Sequence, residues 1–284
     1  MKNLLANIKF LWKHRIYLEL LGYSVENMKY ELADAMKNLQ IPKILTTAEA
    51  LNYLISHNIS LTRFGDGELD LLNGNSICFQ KANNKLSNRF KEILSSTDKN
   101  IAVGIPRIMY ESKENISLQD QWYWRLQSPY YYKLMQTHLH KDITYFPAEL
   151  TCAYTMYKEY DLENYFASFC TIWENKPITI IAGQRVTNNF RYNIFNNASS
   201  VDYLDAPSTN AFSVYNSLLA DALRISKDRL ILIILGPTAT VLSYDLAKNG
   251  YRALDIGHLA KAYEWWKRSI NTINKSRIGF FNPD

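Results

Sequence analysis

Seven short apolar runs recur along the chain, at residues 59–64, 101–105, 143–146, 178–182, 201–204, 230–235 and 251–256. Amphipathic stretches separate most of them, at 85–94, 120–137, 208–224 and 238–249. No feature constrains the fold more. A run of four to six apolar residues without polar alternation suits a strand buried on both faces. Strands that alternate with helices imply an α/β fold: a Rossmann-like, mostly parallel sheet with helices on both faces. Right-handed crossovers follow, because a right-twisted strand feeding a helix packs back onto its sheet only that way. The cleanest run, 230–235, is bracketed by Arg229 and Gly236 and is far too short to cross a bilayer. Helices are expected over 25–38 and over 47–57, with Thr46 or Thr47 as N-cap of the second.

Composition narrows the class. The 284 residues are 47% hydrophobic and 21% charged, a globular balance that excludes a disordered tail protein. That length can bury a large core without staples. Three cysteines, Cys78, Cys152 and Cys170, form no C-x-x-C pair, which argues against a disulfide scaffold or a thiolate zinc site and for a cytoplasmic home. The net charge of +5 is mild, and much of the surplus sits in residues 1–15, with Lys2, Lys9, Lys13 and Arg15. Leu4, Leu5, Ile8, Leu11 and Trp12 fall at helical spacing among these bases. The expectation is an N-terminal helical extension over 1–40 and one domain over 41–284. Residues 1–20 form either a peripheral contact with an anionic membrane surface or a helix packed on the domain or a partner subunit. This segment lacks the unbroken apolar core of a signal peptide. No basic stripe interleaved with aromatics follows it, so nucleic acid is not an expected partner.

Four constellations sit at expected carboxyl ends of strands, where open α/β sheets bind their ligands. The first is Arg63-Phe64-Gly65-Asp66-Gly67-Glu68. In an extended segment, carboxylates two residues apart lie on one side. Asp66 and Glu68 would then hold Mg²⁺ or Mn²⁺, which take one or two carboxylates plus substrate phosphates. Gly65 would let the backbone approach a ligand closely, and Arg63 would pair with a phosphate or lock the carboxylates. The alternative is a polar turn with Arg63 in a structural ion pair. The second is Gly236-Pro237-Thr238, a strand-to-helix turn that either binds phosphate at the helix start or is simply well capped. The third, Asp255-Ile256-Gly257-His258, followed by Glu264, offers acid–base groups or partners for a sugar hydroxyl. The fourth is Gly183-Gln184-Arg185, where Arg185 would reach a diphosphate or stay solvated. The aromatic stretch 110–140, including Tyr110, Trp122, Tyr123, Trp124 and Tyr130 to Tyr132, reads mainly as packing and otherwise as a sugar-stacking wall.

The blocks "SLTRFGDGEL" and "FQKANNKLSNRFKEIL" resemble the opening of bacterial GT-D-type glycosyltransferases. "LGPTATVLSYDLAKNGYRALDIGHL" with "AYEWW" resembles their closing segment. The resemblance spans most of 45–268. It implies a Rossmann-like fold, a UDP-sugar donor, and a D-x-E motif, here Asp66 and Glu68, on a divalent cation. It also implies an acceptor glycan, on a glycoprotein or a lipid-linked oligosaccharide, in cell-surface glycan synthesis. Asp255, His258 or Glu264 would then be the base on the acceptor hydroxyl. The chain departs from the family pattern at Ala182, at Thr151 to Tyr154, at Arg191 to Phe195 and after His258. Those departures motivate a second reading, a non-catalytic nucleotide-sugar-binding scaffold for another transferase.

Overall fold

The computed structural model describes residues 41–112, 114–183 and 190–270. Eight parallel strands form one sheet: β1 (Lys43–Ile44), β2 (Ser60–Arg63), β3 (Ile101–Ile105), β4 (Thr144–Pro147), β5 (Pro177–Gly183), β6 (Ser200–Ala206), β7 (Leu230–Ile234) and β8 (Ala253–Asp255). Their order is β1-β4-β3-β2-β8-β7-β5-β6. Every paired register among them is parallel, from Leu61 opposite Leu254 at the centre to Ile180 opposite Tyr203 near the edge.

The helices are α1 (Thr47–Ser56), α2 (Asp66–Leu72), α3 (Asn84–Leu94), α4 (Leu118–Met135), α5 (Ala153–Met156), α6 (Leu162–Trp173), α7 (Tyr215–Ala222), α8 (Pro237–Lys248) and α9 (Leu259–Lys267). Alternate residues of each central strand serve opposite faces. Leu61, Ile178, Ile180, Leu230, Leu232 and Leu254 join α1, α6 and α9 in one core. Val103 and Tyr145 pack with α2, α3 and α4 on the other face, and Ile181, Ile231 and Ile233 pack there with α7 and α8. Both faces are therefore covered, which is why these strands read as apolar runs rather than alternating ones.

The topology fixes where a ligand can sit. Beyond β2 the chain turns to α2 on one face; beyond β8 it turns to α9 on the other. β2 and β8 are neighbours, so their divergent exits open a crevice at their carboxyl ends, the switch point of an open α/β sheet. The expected strands and most expected helices are present. The helical expectation for 25–38 and the membrane-contact expectation for 1–20 lie outside the described residues. Among the described residues no helix is long and apolar enough to cross a membrane.

Candidate active site

The motif after β2 is helical, which corrects the extended reading. Asp66 is the first residue of α2 and Glu68 the third. Successive helical residues turn about 100°, so the two carboxylates leave the axis in different directions rather than side by side. The cause is local. The Glu68 carboxylate reaches back to accept the Gly65 N–H at 2.7 Å, closing the helix start. Leu69, Leu71 and Leu72 anchor the helix in the core. Asp66, exposed at the start of α2, accepts from the Tyr123 hydroxyl at 3.2 Å through Oδ2. Its Oδ1 makes no hydrogen bond among the described residues.

Arg63 lies beneath this turn. Its Nη2 pairs with Asp255 Oδ1 at 2.8 Å, with side-chain exposures of 11% and 5%. Nε donates to the Asp255 carbonyl at 3.0 Å and Nη1 to the Ala148 carbonyl at 2.8 Å. The guanidinium thus clamps the ends of β2 and β8 to the turn after β4. The ion-pair alternative for Arg63 is the one observed. Asp255, which also accepts the Gly257 N–H at 3.1 Å, is spent on the clamp rather than turned to the crevice. Burial pushes the Asp255 carboxyl up, and Arg63 and the Gly257 N–H pull it back. Burial also pushes Glu68 up to about 7; Asp255 adds to the rise, while the Gly65 N–H and Arg63 oppose it.

The Gly236–Thr238 turn is closed. Gly236 adopts φ +49° with the Phe79 ring where a Cβ would stand, 2.8 Å from Cε2. The buried Thr238 hydroxyl faces Gln80 Oε1 at 3.5 Å. The N–H groups of Thr238 and Ala239 donate to the carbonyls of Leu235 and Gly236. The segment carrying Phe79 and Gln80 is tied to the 210–212 turn, because Asn210 N–H donates to the Phe79 carbonyl at 2.7 Å. Phe79 and Gln80 thus pack over the helix start at Gly236, Pro237 and Thr238, as the capped-turn alternative expects. Gly183 is likewise pressed against Ser208, whose Oγ lies 2.7 Å from the position of a Cβ. Arg185 lies outside the described residues.

Glu264 is buried, accepting the Tyr192 N–H at 2.7 Å and pairing with Arg268 at 3.4 Å, so it braces the chain entering β6 and does not reach solvent. His258 is half-buried just before α9 and is the titratable group of the third constellation nearest the surface. In the aromatic stretch, Trp124, Tyr131 and Tyr132 are core, while Trp122 and Tyr130 are exposed. Packing explains most of it. Tyr123 and Tyr131 are the exception: their hydroxyls stand 3.0 Å apart, and Tyr131 donates to Asp70 at 3.1 Å. Sequence reasoning missed this link; the signal was Asp66 and Asp70 four apart, one helical turn.

The donor set suits a hard cation. Asp66 and Glu68 both stand in the first turn of α2 and offer oxygen ligands, the kind Mg²⁺ and Mn²⁺ take.

Residues 61–278 match the glycosyltransferase GT-D fold. The chain belongs to the GT-D glycosyltransferase family. It is 32% identical over 231 residues to a probable glycosyl transferase Gly of Streptococcus gordonii, covering 79% of this chain and 33% of that protein. It is 31% identical over 264 residues to the glycosyltransferase GlyD of Streptococcus pneumoniae serotype 4, covering 88% of this chain and 32% of that one. The chain therefore spans about one third of the length of these curated relatives. A solved glycosyltransferase (DUF1792) from Streptococcus sanguinis superposes with a TM-score of 0.78 at 31% identity, over 86% of this chain and 93% of that one. Another solved structure, described as the highly conserved domain of unknown function 1792 with a distinct glycosyltransferase fold, gives 0.78 at 33% identity, over 86% and 88%.

Proposed function

We propose that this GT-D domain transfers a sugar from a UDP-sugar to a hydroxyl of a cell-surface glycan, with Mn²⁺ or Mg²⁺ held by Asp66 and Glu68. The observation that carries the reading is an exposed Asp66 and a half-buried Glu68, two residues apart at the start of the helix that leaves β2, whose neighbour in the sheet is β8. The cation, when bound, neutralises charge on the departing diphosphate. The rest falls to the chain. Glu68 keeps α2 closed on Gly65 and carries the negative charge its partner ion requires once it ionises. Arg63 and Asp255 hold the floor rigid, which keeps the two carboxylates in register with β8. His258, at the outer end of β8, takes the acceptor proton; Asp255 and Glu264 are turned inward.

The reading has the enzyme working in the cytoplasm, with residues 1–20 against the inner face of the membrane. Three free cysteines among the described residues agree with a reducing compartment. The acceptor is a protein-linked or lipid-linked glycan, and no role is assigned to nucleic acid.

UDP release from a panel of UDP-sugars, with Mn²⁺ and with EDTA, tests the activity. Slow hydrolysis of one donor that stops on chelation supports it. A chain that binds UDP but turns over no donor, with any glycan acceptor supplied, is the scaffold instead.

A further inference from the structure

We propose that Tyr123 is a positioning residue for Asp66, fixing the carboxylate that meets the cation–diphosphate; this rests on the donor-site reading above. Asp66 and Asp70 lie one turn apart on the same side of α2, about 6 Å along the axis. Helix α4 answers them with two tyrosines. Tyr123 donates to Asp66 Oδ2 at 3.2 Å, Tyr131 donates to Asp70 Oδ1 at 3.1 Å, and the two hydroxyls touch at 3.0 Å. Each phenol has one proton, so with both given to the carboxylates the two hydroxyl oxygens only abut, and the Tyr123–Asp66 bond stands on its own.

The arrangement has a fixed end and an open end. Tyr131 is 1% exposed and its ring meets Trp124 edge-on. Tyr123 also meets Trp124 edge-on, at 5.3 Å between centroids, so the indole holds both phenols. Asp66 is the exposed member. Its carboxylate makes no other hydrogen bond among the described residues, so its rotamer depends on the Tyr123 hydroxyl. A hydroxyl that fixes one carboxylate oxygen leaves the other aimed outward. This gives Tyr123 a task that core packing does not require, since a phenylalanine would fill the same space.

The test is calorimetric titration of the full chain with UDP in saturating Mn²⁺, using Tyr123→Phe, Asp66→Asn, the double variant and Tyr131→Phe. Losing a hydrogen bond to a charged group predicts about ten-fold weaker binding in Tyr123→Phe, with an unchanged melting temperature. Asp66→Asn loses more, and the double variant binds like Asp66→Asn alone, because the phenol acts only through that carboxylate. Tyr131→Phe, which leaves the Tyr123–Asp66 contact in place, stays within about two-fold. Wild-type affinity in Tyr123→Phe with binding lost in Asp66→Asn overturns the positioning role and leaves the donor site standing. Additive losses in the double variant overturn it too, since Tyr123 would then touch the ligand itself. Equal losses in Tyr123→Phe and Tyr131→Phe reduce both phenols to helix docking. Wild-type binding by Asp66→Asn removes the donor-site reading, and this inference with it.

Discussion

Replacing Asp255 by alanine strips a buried guanidinium of its counter-charge, and the structure sets the scale of the damage. Arg63 and Asp255 meet at 2.8 Å with 11% and 5% of their side chains exposed, so little solvent is on hand to rescue the orphaned charge. Breaking such a pair by removing one partner costs about 3–5 kcal/mol. Arg63 keeps its two backbone acceptors, the Asp255 and Ala148 carbonyls, which argues for the lower end. The Gly257 N–H loses its acceptor, adding about 1 kcal/mol. The expected loss is therefore about 4 kcal/mol, or a melting temperature lower by roughly 8–16 °C for a domain of this size. Asp255→Asn keeps an oxygen for both donors and should lose less. Urea unfolding at pH 7.5, followed by circular dichroism, measures both variants. If Asp255→Ala unfolds within 1 kcal/mol of wild type, the clamp is not what Asp255 is for. Full stability with turnover abolished would return Asp255 to the role of acid–base group.

Glu149 gives a pH prediction. Buried and accepting the N–H groups of Arg107 and Ile108, its carboxyl is pushed up to about 7 by burial, from an ordinary 4.5. A carboxyl raised on folding favours the protonated native state, so its contribution is full below pH 4.5 and is lost as pH climbs through 7. A rise from 4.5 to about 7 corresponds to on the order of 3 kcal/mol. Glu149→Gln should flatten the fall in stability between pH 5 and 7.5 by one proton, leaving the share due to Glu68; denaturant titrations at several pH values check this, and an unchanged slope would refute it. Gly236→Ala faces both a positive φ and the Phe79 ring, and should cost about 2 kcal/mol, of which Phe79→Ala in the same chain recovers only the steric part. Full recovery in the double variant would show that the backbone conformation costs nothing.

The fold was largely legible because the central strands are buried on both faces. Ile101–Ile105 is a five-residue apolar run and is β3 to the residue. Lys43–Ile44, two residues long, carries no pattern to read, and its place beside β4 comes from tertiary pairing alone. Helix α2 was hidden by Gly65 and Gly67, which argue against helix on propensity; the Glu68 cap and three buried leucines override them. The site was half legible. Asp66 and Glu68 stand out as a motif, but which of them faces solvent follows from helical geometry that the extended reading did not supply. The Arg63–Asp255 pair joins residues 192 apart in the chain, and nothing in local spacing encodes it. The covering of Thr238 by Gln80 joins positions 158 apart and is equally invisible until the sheet assembles.

In the proposed reading Asp66 and Glu68 would hold the cation that neutralises the donor diphosphate. The most direct measurement is Mn²⁺-dependent UDP release by Asp66→Ala and Glu68→Ala, each shown folded by circular dichroism, from the donor the wild type turns over. Both variants should lose at least about a hundred-fold, roughly what a cation contributes to stabilising a departing diphosphate. Wild-type rates in either folded variant, with release still stopped by EDTA, would put the cation elsewhere.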